Sequence, residues 1–216
     1  MRIEIYSDII CPWCLIGKRR LERALKEQPQ ENLEISWRAF QMTPSMPAEG
    51  IDRQRYLEMK FGGSERVATV YDPIMQTGLR EGIDFAFDKI ERTPNTLNSH
   101  RLLRFAERRD CGEAMLDALF SAYFFEGENI GDPDTLIALA EKAGLERDAV
   151  SAYLAGDEDR TEVTAEDARA RKIGIQGVPT YIFDGKYVLS GAHPPEVLFR
   201  LFDLVNGKEQ PQSAVV

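Results

Sequence analysis

The segment Cys11-Pro12-Trp13-Cys14 constrains the fold of this chain more than any other, because it joins a predicted strand directly to a predicted helix. Residues 2–6 alternate polar and apolar side chains with the period of two that is typical of a strand. From residue 15 to residue 25, apolar side chains recur at helical spacing. Two cysteines separated by two residues at such a junction indicate a redox centre.

The start of the predicted helix favours a negative charge on Cys11. A helix amino terminus presents unpaired N–H groups and the positive end of the helix dipole. Cys11 falls at or near the N-cap, and Pro12 suits the first helical position because its missing N–H would be unpaired there anyway. We therefore expect Cys11 to be an exposed thiolate and the attacking thiol. Cys14 lies one helical turn further on the same face, so it can displace whatever Cys11 captures.

Trp13 and a basic cluster accompany the cysteine pair. We expect Trp13 to point outward, as a lid or a substrate contact. We also expect the basic cluster to add positive potential around Cys11, although salt screens this effect where the charges are exposed. The cluster consists of Lys18, Arg19, Arg20 and Arg23.

A zinc site and a pair of inert buried thiols are the alternatives for a lone Cys-x-x-Cys motif. A structural zinc ion needs about four ligands. The chain offers one further cysteine, Cys111, and two histidines, His100 and His193, that are far apart in sequence. A redox pair is therefore the favoured interpretation, and we expect no metal.

Length and composition exclude several other classes of protein. With 216 residues, the chain is long enough for a sizeable core in one large domain, or in one domain with an insertion. Its net charge of −9 argues against nucleic acid or an anionic membrane as a partner. No apolar run reaches the length of a membrane span. No apolar signal segment precedes the first strand, so we expect a cytoplasmic location.

The order of predicted elements defines the fold class. Residues 33–40 alternate as a second strand, which implies a parallel pair joined by a helical crossover. Asp184-Gly185 lies between two apolar runs and is a strong hairpin signal, and a last helix starts at Pro194-Pro195. We predict an α/β protein with a thioredoxin fold (βαβ…ββα) and a large all-helical insertion. The predicted boundaries are 1–42 and 165–216 for the thioredoxin fold and 43–164 for the insertion.

Two of the predicted helices carry specific expectations. Thr93 is expected to cap a helix whose first position is Pro94. On that helix His100 lies in an apolar stripe, which favours a packed, hydrogen-bonded histidine in the core; the alternative is a place over Cys11, where it would tune or shuttle protons. Residues 157–172 are expected to form a largely exposed helix that is apolar at Val163, Ala165 and Ala168.

Four segments together resemble the DsbA-like thioredoxin family, and within it the FrnE-type cytosolic oxidoreductases. They follow the family's order and span nearly the whole chain; they are residues 7–18, 98–102, 174–180 and 190–192. The resemblance implies thiol–disulfide exchange with Cys11 as attacking thiol and Cys14 as resolving thiol. It also implies that Pro179 is a cis proline beside them and that the backbone of Val178 pairs with extended substrate. Some FrnE-type proteins carry a second cysteine pair near the carboxyl terminus, which this sequence lacks.

The same superfamily supplies the main alternative function. 2-Hydroxychromene-2-carboxylate isomerases and kappa-class glutathione transferases share the helical insertion, bind glutathione and usually have serine where Cys11 stands. Retention of both cysteines favours redox chemistry. Glutathione remains a candidate co-substrate, since Val178 could pair with its backbone and the helix start near Ala192-His193 could hold a carboxylate.

The predicted partners follow from this chemistry. We expect protein thiols and disulfides, or glutathione, as substrates, with no further cofactor, and a monomer or homodimer. Pro12, Trp13, Val178, Pro179 and His100 are the candidate substrate-binding residues. A third hypothesis is that the protein is not an enzyme but a redox-regulated, chaperone-like binder that uses the helical block.

Overall fold

The computed structural model describes residues 1–208, apart from the side chains of residues 64 and 65. A 3₁₀ turn covers Phe87–Lys89 and a π-helical turn covers Ala122–Glu126. The other elements, in chain order, are β1 (Arg2–Ser7), α1 (Pro12–Glu27), β2 (Glu34–Ala39), β3 (Ile51–Asp52), α2 (Arg53–Phe61), α3 (Ser64–Arg80), β4 (Arg92–Thr93), α4 (Leu97–Glu107), α5 (Gly112–Ser121), α6 (Pro133–Lys142), α7 (Arg147–Ala155), α8 (Arg160–Lys172), β5 (Thr180–Phe183), β6 (Tyr187–Ser190) and α9 (Pro195–Val205).

The main sheet has the strand order β2-β1-β5-β6. β1 and β2 run parallel, with Ile3 beside Ile35, and β5 pairs antiparallel with both β1 and β6. The hairpin between β5 and β6 turns at Asp184 and Gly185, which both have positive φ angles, as a tight type I′ turn requires. The predicted thioredoxin fold is therefore confirmed.

Helices cover both faces of this sheet. α1 and α9 pack together on one face, and the core there consists of Ile3, Ile5, Leu21, Ala24, Tyr181, Phe183, Leu198 and Phe202. α8 covers the other face, where Ala170 packs with Tyr6 and Phe40. The inward alternation of β1 thus fills two separate cores.

The helical block between β2 and β5 has a core of its own, and that core includes the start of α1. Ile9, Cys11, Cys14 and Leu15 belong to the same buried cluster as the apolar side chains of α4 to α7. The cysteine pair therefore lies where the thioredoxin fold meets the helical block. The boundaries at residues 43 and 164 stay a prediction. Among residues 1–208, no helix is long and apolar enough to cross a membrane.

The prediction for the start of α4 was wrong. Thr93 lies in β4 and pairs with Ile51 across a small two-stranded sheet, so its backbone is committed before the helix begins. α4 starts at Leu97, whose N–H donates to the Asn95 carboxamide oxygen at 2.9 Å. The N-cap is Thr96, three residues later in the chain than the expected Thr93.

The prediction for α8 was wrong in its buried positions. Ala165 and Ala168 are exposed, whereas Val163 and Asp167 are buried. The Asp167 carboxylate accepts a hydrogen bond from the Gln41 N–H at 2.9 Å and so ties α8 to the end of β2. An inward-facing aspartate interrupts an apolar pattern, which is why hydropathy alone misplaced the stripe.

Arg101 joins α4 to the loop between α7 and α8. Its side chain is fully buried, and its guanidinium donates to the carbonyls of Tyr153 at 2.9 Å, Gly156 at 2.6 Å and Glu158 at 2.8 Å. These include carbonyls at the carboxyl end of α7, which have no partner within the helix. Arg101 is therefore the cap of α7.

We expect Arg101→Leu to lower the free energy of unfolding by about 3 kcal/mol or more, because each orphaned buried carbonyl costs about 1–3 kcal/mol. Urea denaturation measures the change. Arg147→Leu is the matched control, since Arg147 is exposed and its ion pair with Glu141 lies at the surface; its effect should stay within about 0.5 kcal/mol. Equal stability of the two variants would contradict the capping role.

Candidate active site

The cysteine pair lies at the first turn of α1, as predicted. Cys11 is the N-cap with extended backbone (φ −92°, ψ 112°), and Pro12 occupies the first helical position. The Cys11 N–H donates to the Asp8 carbonyl at 3.1 Å, and the Cys14 N–H donates to the Cys11 carbonyl at 2.9 Å. Both cysteines are free thiols in this structure.

The expectation that Cys11 is exposed was wrong. The Cys11 side chain is only 4% exposed and Cys14 is fully buried. Cys11 instead lines a cavity of about 220 Å³ that it shares with Pro12, the half-buried Trp13, and side chains of α2 and α3. Helices α2 and α3 cover the start of α1, so Cys11 faces the cavity rather than the open surface.

The loop before β5 meets Cys11 directly. The Val178–Pro179 peptide bond is cis, which confirms that prediction. The Cys11 Sγ lies 3.5 Å from the Val178 carbonyl oxygen, in position to donate a hydrogen bond to it. The Pro179 carbonyl in turn accepts from the Gly191 N–H at 2.7 Å, which fixes the loop against β6. The substrate-binding role of Val178 and Pro179 stays a prediction.

Gly17 allows α1 to approach this loop closely. A Cβ at position 17 would lie 3.0 Å from Pro179 Cγ and would collide with the Tyr181 hydroxyl. Gly17 lies in the segment 7–18 that resembles the family, but no role for it was predicted. The signal was a glycine inside a helical pattern, which costs about 1 kcal/mol and so indicates a packing reason.

Several residues that line the cavity were not predicted to belong to the site. Arg53, Tyr56 and Lys60 come from α2, Tyr71 from α3, and Thr93 from β4. The first three recur at helical spacing on one face, which was the available signal. Nothing in the sequence showed that this face turns toward Cys11.

The match to known families decides the identity of the fold. Residues 2–202 match the DsbA-like thioredoxin domain. The chain belongs to the DsbA-like thioredoxin family. Membership of this family supports oxidoreductase activity in general, in agreement with the resemblance seen in the sequence.

Three known proteins are similar to this chain. The probable DsbA oxidoreductase SCO1869 from Streptomyces coelicolor is 33% identical, with a TM-score of 0.88 over 100% of this chain and 94% of that one. The uncharacterized protein YwbO from Bacillus subtilis is 27% identical over 91% of this chain and 93% of its own. The cytosolic disulfide reductase DsbM from Pseudomonas aeruginosa, in a structure with GSH, shares the fold at 18% identity, with a TM-score of 0.68 over 95% of this chain and 100% of that one.

The basic cluster of this DsbA-like protein is already paired with carboxylates, so the prediction of free positive potential was wrong. Lys18 is buried, and its ammonium lies 2.8 Å from Asp117 of α5 with two further carboxylates around it. Arg20 and Arg23 both bind Glu81, at 2.7 and 2.8 Å. These ion pairs fasten α1 to α5 and to the end of α3, which is a structural role.

His100 is buried, as the packed interpretation expected, but its contacts differ. Its Nε2 lies 3.4 Å from the Asp8 Oδ1, and neither atom has a hydrogen-bond partner among the described residues. The other carboxylate oxygen of Asp8 accepts from the Met42 N–H at 2.7 Å. The structure thus places His100 beside a residue three positions before Cys11, and its role toward substrate stays a prediction.

The Cys14 thiol is held in its neutral form. Burial, together with the neighbouring Cys11 sulfur, raises the pKa of Cys14 well above its ordinary value. The Ser7 hydroxyl and the Asp8 backbone oppose this effect but do not outweigh it. Cys14 therefore rests as a thiol and loses its proton only when it attacks.

We expect Gly17→Ala to destabilise the protein by about 1–3 kcal/mol, because the added methyl forces α1 away from Pro179 and Tyr181. Gly177→Ala is the matched control on the other side of Pro179, since its Cβ would meet no atom within 4 Å. The unfolding free energy and the rate of disulfide exchange should both fall for the first variant only. Unchanged values for both variants would show that the close approach is unimportant.

We expect the stability of the reduced protein to depend on pH through Cys14. Because folding raises the pKa of Cys14, its contribution is complete below the ordinary cysteine pKa of about 8.5 and declines as pH rises above it. The stability difference between wild type and Cys14→Ser should therefore fall by up to about 1.4 kcal/mol per pH unit between pH 8.5 and 10. Urea denaturation under reducing conditions measures it, with Cys111→Ser as control. Parallel curves for wild type and Cys14→Ser would contradict the raised pKa.

Proposed function

We propose that this protein catalyses thiol–disulfide exchange through Cys11 and Cys14, with protein or small-thiol substrates and with glutathione as a candidate co-substrate. One observation carries the proposal: the Cys11 sulfur, at a helix amino terminus, lies 3.5 Å from the carbonyl that precedes cis Pro179. This arrangement brings an extended substrate backbone and the attacking sulfur to the same place.

The reaction follows from the two positions on α1. The Cys11 thiolate attacks one sulfur of a substrate disulfide, forms a mixed disulfide and releases the other sulfur as a thiolate, which takes up a proton. Cys14 then loses its proton and attacks the Cys11 sulfur, which closes the internal disulfide and releases the second substrate thiol. The substrate is reduced and the protein is oxidised by two electrons. The reverse sequence oxidises a substrate dithiol.

The burial of the pair supports this division of roles. Cys11 lines the cavity, whereas Cys14 is fully buried and protonated at rest. A substrate can therefore meet Cys11 first, and Cys14 acts only inside the mixed disulfide. The GSH in the DsbM structure supports a small thiol among the partners of this fold.

We expect Cys14→Ser to trap a mixed disulfide at Cys11, because no second thiol remains to release the substrate. Incubation with oxidised glutathione or with a reducible protein such as insulin, followed by non-reducing mass spectrometry, measures the adduct. Cys11→Ser is the control and should form none. Reduced wild type should accumulate no adduct, because Cys14 releases the substrate and the protein ends with the internal Cys11–Cys14 disulfide.

Each rival function predicts a different result when activity and client binding are measured on the same proteins. A glutathione transferase or isomerase would keep turning over after Cys14→Ser, since its chemistry does not need the resolving thiol. A redox-regulated binder would bind unfolded clients while wild type failed to reduce insulin. Either outcome would overturn the proposal. The cytoplasmic location and the monomeric or homodimeric state stay predictions.

A further inference from the structure

The cavity beside Cys11 contains a buried positive charge. Arg53 is 8% exposed, and its guanidinium donates to the Tyr123 hydroxyl at 3.0 Å and to the Tyr71 hydroxyl at 2.9 Å. Among the described side chains, no carboxylate oxygen lies within 4.0 Å of it. The basic residues of α1, in contrast, are paired with Glu22, Glu81 and Asp117.

The two phenols do not neutralise Arg53. Burial raises the pKa of both Tyr71 and Tyr123, so both remain protonated. Each accepts from Arg53 and keeps an O–H of its own to donate. The guanidinium has five N–H donors, of which these two bonds use two. The cluster of Arg53, Tyr71 and Tyr123 therefore has more hydrogen-bond donors than acceptors.

Thr93 adds a further donor without a partner. It lines the same cavity, is fully buried, and its hydroxyl has no hydrogen-bond partner among the described residues. A buried hydroxyl without a partner costs about 1–3 kcal/mol. Lys60 supplies a second positive charge at the exposed side of the cavity, where it donates to the Tyr56 hydroxyl at 2.9 Å. The two positive charges and the hydroxyl without a partner together favour binding of an anion in this cavity.

We propose that this cavity is a carboxylate-binding subsite, in which Arg53 and Thr93 hold a carboxylate that the substrate carries near its reacting sulfur. The planar guanidinium matches a carboxylate through two parallel hydrogen bonds. The volume of about 220 Å³ admits a short carboxylate-bearing arm while the sulfur lies at Cys11. The inference rests on the proposed function and names its substrate class: small acidic thiols and their disulfides.

The overall charge of the protein opposes such a preference. The net charge is −9, and a larger neighbouring groove is edged by Asp52, Glu58, Asp88 and Glu91. A protein without a local subsite would therefore react faster with a cationic disulfide than with an anionic one. A preference for the anionic substrate has to come from the cavity.

Three small disulfides test the subsite: dithiodipropionate, which is anionic, hydroxyethyl disulfide, which is neutral, and cystamine, which is cationic. The rate of oxidation of the reduced protein is measured with each and divided by the rate of the same disulfide with dithiothreitol, which removes the effect of leaving-group reactivity. We expect the normalised rate for dithiodipropionate to exceed that for hydroxyethyl disulfide about tenfold, and cystamine to be slowest.

Two variants locate the preference. Arg53→Gln should lower the ratio of anionic to neutral rates about tenfold. Thr93→Val should lower it about threefold, and because the lost hydroxyl has no partner, this variant is expected to fold even if Arg53→Gln does not. Arg55→Gln is the matched control: it removes the same charge from the same helix, but Arg55 is exposed and does not line the cavity.

The outcomes separate this inference from the proposed function. If wild type reacts with none of the disulfides, thiol–disulfide exchange itself fails. If it reacts with all three in the order set by its net charge, or if both cavity variants keep the wild-type ratio, exchange stands and the carboxylate subsite is overturned. Peptide disulfides with Glu or Gln beside the half-cystine identify the source of the carboxylate. The rate with the Glu peptide divided by the rate with the Gln peptide is compared with the rate for dithiodipropionate divided by the rate for hydroxyethyl disulfide. If the peptide ratio is larger, the carboxylate belongs to a protein client.

Discussion

The close contact between the start of α1 and the loop before β5 determines most of what this site can do. Gly17 lets the helix approach Pro179, and the Cys11 sulfur consequently reaches the Val178 carbonyl. The helix dipole, the attacking sulfur and an extended backbone segment are thus brought together by one packing contact. Tyr181 completes that contact, and burial beside the two cysteines raises the pKa of its phenol, which keeps it neutral.

The helical block is more than a cover for the thioredoxin fold. It contributes a cavity wall with a buried guanidinium, whereas the start of α1 contributes the two sulfurs. The ion pairs of Lys18 and Arg20 hold the block against α1 and use positive charge that would otherwise surround Cys11. Charge available to a substrate therefore comes from α2, on the opposite wall of the cavity.

The sequence predicted the features that depend on local pattern. The cysteine pair at a strand–helix junction and the Asp184-Gly185 turn were sufficient for the fold, because local backbone geometry determines both. Features that depend on distant partners were not predictable. Hydropathy gives the phase of a helix but not what covers it, so the burial of Cys11 and the pairing of Lys18 were missed. Arg53 was missed for the same reason.

Asp167 and the shared core have a consequence for how this architecture could be shortened. Asp167 fastens α8 to the end of β2, and the cysteine pair lies in the core of the helical block. A minimal four-stranded protein made by excising the block would keep the motif intact in sequence. It would nevertheless expose Cys14 to water and remove the cause of its raised pKa. In this protein the insertion is therefore part of the redox centre's solvent shield and not an accessory to it.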